Sequence, residues 1–335
     1  MTLKNEKELS LSTKIAQALH YNDPDTGSVI PPIEHTATYS RDENYEPRKA
    51  YWYRRDGNKT TQIAEEIIAE LENADRSLLF SSGMSACTAV LEMLPPNAHI
   101  VVPKVMYHGV LAQIQNFSEK NRIHVDFYNA GDLKSMKESI KTGITQLVWV
   151  ETPNNPNWEV TDIVQASKLA HEAKAKLIVD ATATPPTMTK SLDLGADISF
   201  HSATKYLNGH SDVSAGVLSF KKSNTDWENL AGIRKLQGTV LNSQDAFLLI
   251  RGLRTLFLRV ERIVRTQCYW LSILKAITIS KQFYILDWKV TLTIKLQNTK
   301  QMDSMAECYQ LLSKVQKPKL SMLFAIVKFS IQQLL

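Results

Sequence analysis

The sequence predicts an α/β fold: a mostly parallel sheet flanked by helices, preceded by an N-terminal arm and followed by an atypical C-terminal region. Three observations carry this. Short apolar runs recur from Ser77 to Phe200. They are bounded by amphipathic segments with helical spacing. The runs are mostly apolar, as strands covered on both faces are.

Taken in order, residues 1–50 read as an arm with little regular structure. Asp23-Pro24-Asp25-Thr26-Gly27 and Pro31-Pro32 are turn and breaker signals. From Thr60 a helix begins, with Ile63, Ile67, Ile68 and Leu71 at helical spacing and acids on the other face. Four runs follow that read as buried strands: Ser77-Leu78-Leu79-Phe80, His99-Ile100-Val101-Val102, Gln146-Leu147-Val148-Trp149-Val150 and Lys176-Leu177-Ile178-Val179. Residues 164–173, between the last two, read as a helix. Asp197-Ile198-Ser199-Phe200 is a further apolar run. The division expected is an arm over 1–50, a large domain over 51–255 and a C-terminal region over 256–335.

Composition narrows the function. The chain has 335 residues, 44% apolar and 22% charged, enough for about two globular domains. No apolar stretch approaches the ~18 residues of a membrane span. The polar, acid-bearing start is unlike a secretory leader, and Cys87, Cys268 and Cys308 lack metal-ligand spacing and form no even disulfide set. A reducing, cytoplasmic setting is the expectation. The net charge of +5 is unevenly spread: residues 266–335 hold nine Lys and three acids, so they contribute +6 and the remainder −1. A neutral body with no basic stripe argues against nucleic acid as a partner.

In parallel sheets, ligands sit beyond the carboxyl ends of the strands. Five strand ends deliver small, polar or aromatic groups there. They are Ser81-Ser82-Gly83-Met84, Pro103 to Gly109 with Tyr107, Glu151-Thr152-Pro153-Asn154-Asn155-Pro156, Asp180-Ala181-Thr182, and His201-Ser202-Ala203-Thr204-Lys205. Lys205, flanked by hydroxyls, can form a Schiff base while its neighbours bind a phosphate, which is what pyridoxal phosphate requires. Alone it equally reads as a surface lysine. Ser82-Gly83-Met84 would open a helix whose N–H groups favour a phosphate, or Ser82 is simply its N-cap. Asp180 ends an apolar strand, where a carboxylate needs a partner: a protonated pyridine nitrogen, a helix N-terminus or an ion pair. Tyr107 can stack on a ring and move a proton, or only pack. Asn155, between two prolines, can bond a ring oxygen or a substrate carboxylate, or serve the turn. Cys87 reads as core, and His108 and His210 as structural.

These segments, in this order, resemble the Cys/Met-metabolism pyridoxal-phosphate enzymes, which include cystathionine γ-synthase and the cystathionine lyases. The lysine segment through Asp212, Ser81-Ser82-Gly83-Met84, Tyr107-x-Gly109, Glu151-Thr152-Pro153-x-Asn155-Pro156 and Asp180-x-Thr182 carry the likeness. So do residues 27–39 and Arg251-Gly252-Leu253-Arg254-Thr255-Leu256. It covers roughly residues 14–262. The resemblance implies a type I pyridoxal-phosphate fold. It implies that Lys205 is the Schiff-base lysine and proton shuttle, that Tyr107 stacks on the ring and that Asp180 holds the ring nitrogen. Gly83, Met84, Ser202 and Thr204 hold the phosphate, with Asn155 and Thr182 completing the cofactor contacts. Tyr53-x-Arg55-x-x-Asn58-Lys59-Thr60 resembles a motif whose Tyr and Arg reach the neighbouring subunit's phosphate, with Lys59 in place of proline. Tyr53 and Arg55 therefore imply a homodimer or homotetramer, although Arg55 alone equally reads as a surface ion pair.

After Arg265 the family pattern stops. Residues 266–335 contain no Gly, Arg or His, whereas the family's last domain bears glycines and a carboxylate-binding arginine. A divergent domain is one reading, since residues 290–296 alternate like a strand. A frameshift near residues 262–266 is the sharper one. Residues 283–290, back-translated and read two nucleotides along, allow Leu-Tyr-Pro-Gly-Leu-Glu-Ser-His. Residues 302–310 in that frame allow Gly-Phe-Tyr-Gly-Gly-Met-Leu-Ser. Both approximate family segments in family order. The activity expected is cystathionine γ-synthase, joining an activated homoserine to cysteine. A cystathionine lyase is the alternative, and a non-catalytic remnant that still binds cofactor is the alternative of another class.

Overall fold

The computed structural model describes residues 9–222 and 225–281. It divides the chain into two compact units that meet in sequence at Phe257 and Leu258. Within the first, a short helix α1 (Leu11–Ala16) and a 3-10 turn (Ala18–His20) open the arm. The arm otherwise runs without regular structure to α2 (Lys59–Glu72). Then follow β1 (Arg76–Phe80), α3 (Gly83–Met93), β2 (Ala98–Pro103), α4 (His108–Glu119), β3 (Ile123–Tyr128), α5 (Leu133–Ser139), β4 (Thr145–Glu151), α6 (Ile163–Glu172), β5 (Lys176–Asp180), β6 (Ile198–Ser202), β7 (Gly216–Phe220), α7 (Thr225–Gln237) and α8 (Ser243–Leu253). Helix α9 (Leu256–Lys281) leads into the second unit.

Among the described residues the strands form one sheet in the order β1-β7-β6-β5-β4-β2-β3. Strands β3, β2, β4, β5 and β6 run parallel, and β7 runs antiparallel to both β6 and β1. Side-chain alternation sends Trp149, Ile178, Phe200 and Leu218 to one face, where they pack with Cys87, Val90 and Ile114 of α3 and α4. Val148, Val150, Leu177 and Val179 take the other face with Ile163 and Ala166 of α6. Coverage on both faces is why residues 147–150 of β4 and 177–179 of β5 are apolar at every position.

All four strands read from sequence are present, each extended by one or two residues, as are the helices near residue 60 and over 164–173. Two strands are additional. β3 lies at the sheet edge and buries only Ile123 and Tyr128 fully, and β7 is a single short run that carries the direction change. Cys87 is fully buried, which pushes its thiol pKa up and leaves it a core residue. No helix among the described residues is long and apolar enough to cross a membrane. The strand expected over residues 290–296 and the two frame-shifted segments lie outside the described residues.

Candidate active site

The parallel strands end on a common edge, and the residues just beyond them touch one another. Ser82 caps α3, accepting from the Ser85 N–H at 3.0 Å, while its carbonyl accepts from Ala86 N at 3.2 Å. The N–H groups of Gly83 and Met84 take part in neither bond, so the first turn keeps donors for an anion. N-cap and anion site thus coexist. A Cβ on Gly83 would stand 3.3 Å from the Cβ and Oγ of Ser202, so only a bare Cα lets the end of β6 approach this turn comfortably.

The end of β5 joins the same edge. Thr182 Oγ1 accepts from Ser202 N at 2.8 Å, and Thr182 N donates to Asp180 Oδ1 at 3.0 Å. Asp180 is 5% exposed and, among the described residues, no cation lies within ion-pair distance of it. No helix begins after it, so it is not an N-cap. Burial raises its pKa, opposed by the Thr182 bonds and by the attraction of His201. A buried carboxylate with one backbone N–H and no cation fits a protonated ring nitrogen.

Lys205 is exposed on the turn after β6, its N–H donating to Ser202 O at 3.0 Å. Thr204 Oγ1 is engaged with protein: it accepts from Ala215 N at 2.9 Å and donates to Ala215 O at 3.2 Å. That pair pins the lysine turn to the residue before β7.

On the other flank, Tyr107 stands at the N-cap of α4, half-exposed, with its ring 4.7 Å from that of His108. A Cβ on Gly109 would lie 2.8 Å from the Tyr107 ring and 3.2 Å from Met84 Sδ, so these three meet where α3 and α4 begin. Asn155 is exposed, and its N–H donates to Glu151 Oε1 at 2.6 Å. Its neighbour Asn154 is fully buried and staples the loop, donating to Val105 O at 2.9 Å and accepting from Glu159 N at 2.7 Å.

Glu151 is the residue that sequence reasoning passed over. It ends β4, is 5% exposed and lies beside Asp180 in the strand register. Its other oxygen accepts from Tyr107 N at 2.8 Å. Burial, then the Asp180 charge, push its pKa up to about 8 against those two bonds. The signal available was position alone: an acid closing a buried strand next to another strand that also ends in an acid.

The remaining candidates lie apart. His201 faces the far side of β6, where its Nε2 bonds Glu72, and Ser199 Oγ donates to the same carboxylate at 3.0 Å. His210 Nδ1 donates to Asn208 O at 2.7 Å, a turn contact. Arg55 stacks over the Tyr53 ring at 4.6 Å, and its Cδ would stand 4.0 Å from a Cβ on Gly238. A cavity of about 410 Å³ lined by Asn58, Thr61, Glu65 and Arg234 contains none of the edge residues.

Known proteins share both sequence and architecture. The pattern described as Cys/Met metabolism PLP-dependent enzyme matches residues 12–283, beyond the end of the likeness read by eye. A cystathionine beta-lyase of Coxiella burnetii is 34% identical over 263 residues, 78% of this chain and 67% of the relative. An L-methionine gamma-lyase of Treponema denticola is 35% identical over 270 residues, 77% of this chain and 67% of the relative. The crystal structure of cystathionine gamma synthase from Xanthomonas oryzae pv. oryzae in complex with aminoacrylate and cysteine superposes with a TM-score of 0.74 at 31% identity, covering 79% of this chain and 68% of that one. The chain thus spans about two thirds of the length of the relatives it matches. A match over most of the sequence, a shared fold and a strand edge with the groups pyridoxal phosphate needs converge: this chain belongs to the Cys/Met metabolism family of pyridoxal-phosphate-dependent enzymes.

Proposed function

We propose that this chain binds pyridoxal phosphate on Lys205 and makes or breaks the carbon–sulfur bond of sulfur amino acids. The buried carboxylate of Asp180, with no cation beside it among the described residues, is the observation that carries the reading. The bound cofactor supplies an electron sink for the carbanion left at the substrate Cα.

The chain's own residues do the rest. Lys205 Nζ would hold the cofactor as a Schiff base and, when the substrate takes its place, would take and return the proton at the substrate Cα. Asp180 holds the ring N–H. Gly83, Met84 and Ser202 bind the phosphate, and Thr204 supports them by holding the turn to Ala215. Thr182 orients Asp180 and Ser202 together. Tyr107 covers the ring and its hydroxyl moves a proton, while Asn155 presents its amide to the ring oxygen or the substrate carboxylate. Tyr53 and Arg55 serve the neighbouring subunit of a homodimer or homotetramer. Arm, cofactor domain and C-terminal region divide near residues 50 and 255.

Within this chemistry the synthase reaction, an activated homoserine plus cysteine, is the first reading, in keeping with the structural relative. A lyase is the second, favoured by the relatives found by sequence. Visible absorbance of the purified protein after adding pyridoxal phosphate tests the cofactor. Product analysis with O-succinylhomoserine plus cysteine, against cystathionine alone, then separates synthase from lyase. A loaded protein that turns over neither substrate set is the non-catalytic remnant.

A further inference from the structure

Glu151 is an expensive residue. Its carboxylate is buried beside a second buried carboxylate, and no cation among the described residues lies within ion-pair distance of either. The groups that face it are acidic or neutral: Asp180 from β5, the Tyr128 hydroxyl from β3, and the two backbone N–H donors. The Tyr128 hydroxyl is itself committed to the Trp149 carbonyl at 3.1 Å. An apolar side chain of similar shape would cost the fold less.

What the carboxylate does is span two loops. One oxygen takes the N–H of Tyr107, which follows β2, and the other takes the N–H of Asn155, which follows β4. When Glu151 is ionised these become charge-assisted bonds to the two residues read above as flanking the cofactor ring. We propose that Glu151 is a positioning residue: a clamp whose two backbone bonds set the gap between Tyr107 and Asn155, and with it the fit of the pyridine ring. This rests on the cofactor reading of the edge and deepens it.

The clamp is coupled to the ligand. With Asp180 unpaired, its charge opposes ionisation of Glu151. A protonated ring nitrogen against Asp180 offsets that charge, so Glu151 releases its proton to solvent more readily and grips both N–H groups harder. Ring binding and loop tightening then reinforce each other.

Pyridoxine 5′-phosphate tests this, because it lacks the aldehyde and cannot bond to Lys205. Its affinity is measured by calorimetry for the wild type and Glu151→Gln across neutral to mildly alkaline pH, with amide hydrogen exchange read at Tyr107 and Asn155. Gln keeps the volume but turns its amide NH2, a donor, toward one of the two N–H groups. The expected result is affinity lower by about tenfold in the variant. The wild-type advantage grows as pH rises toward 8, and exchange quickens at 107 and 155 but not in β4 or β5. Equal affinity, or a ratio that does not change with pH, overturns the clamp while leaving the cofactor site standing. No binding by the wild type overturns the cofactor reading, and the clamp with it. If the variant does not fold, the wild type decides. Its Tyr107 and Asn155 amides must gain protection when the ligand is added, and no gain overturns the proposal.

Discussion

Gly216 lies so close beneath Ser82 that a Cβ on it would stand 2.3 Å from the Ser82 carbonyl oxygen and 2.8 Å from the Gly83 Cα. Both are backbone atoms, so neither can swing aside. Gly216→Ala therefore pushes the first turn of α3 away from the start of β7. The expected cost is about 1–3 kcal/mol of stability. Urea unfolding measures it, and a parallel titration with pyridoxal phosphate should show weakened binding. An unchanged midpoint would mean the turn is not packed as described.

Lys205→Ala removes the amine proposed to bond the cofactor. The protein should fold, since Lys205 is exposed and its backbone bond to Ser202 does not involve the side chain. Visible absorbance after adding pyridoxal phosphate should be that of free cofactor. A retained Schiff-base band would reject the assignment.

Thr204 separates two roles. Its hydroxyl makes two bonds with the buried Ala215 backbone, so Thr204→Val strands a buried N–H at a cost of about 1–3 kcal/mol. Thr204→Ser keeps the hydroxyl and should restore most of that stability. Thermal unfolding of the cofactor-free protein reads this without any phosphate present.

Glu151 gives the cofactor-free protein a pH signature. Its folded pKa, about 8, lies above the ordinary value of 4.5. Between those values the folded state binds more protons than the unfolded chain, so this group's contribution falls as pH rises through the window and levels off above it. Glu151→Gln should flatten that decline. Unfolding midpoints taken from mildly acidic to mildly alkaline pH check the sign, and a decline as steep in the variant would assign it to another group.

The reading frame is open to direct test. DNA encoding residues 262–335, read two nucleotides along, should contain the Tyr-Pro-Gly-Leu and Gly-Gly-Met segments. Sequencing the gene decides it, and codons that exclude those segments sink the idea.

Much of this was legible because a parallel sheet writes its strands as unbroken apolar runs and its site as whatever follows them. Local order alone places Lys205, Asp180, Tyr107 and Gly83 just beyond the strand ends; their roles rest on the family resemblance. β3 escaped because an edge strand fully buried only at Ile123 and Tyr128 makes no unbroken apolar run, and β7 because one short run does not announce its direction. Glu151 and Asn154 stand in the sequence only as members of the segment after Val150, with no role of their own. Their work depends on partners up to 49 residues away, Tyr107 and Val105, which no spacing rule reveals. Glu72 and His201, 129 residues apart, are a further buried pair visible only in three dimensions.

The reversed strand β7 has one more implication. It zips residues 216–220 onto residues 76–80, with Ser77 and Ser219 sharing a hydrogen bond across 142 residues of chain. Closing so long a loop is slow relative to forming local helices. The turn at Ser82 proposed to hold the phosphate and the turn bearing Lys205 are both braced by this strand and the residue before it, through Gly216 and Ala215. Capture of the cofactor should therefore come at the end of folding, making its colour a clock for the last pairing of the sheet.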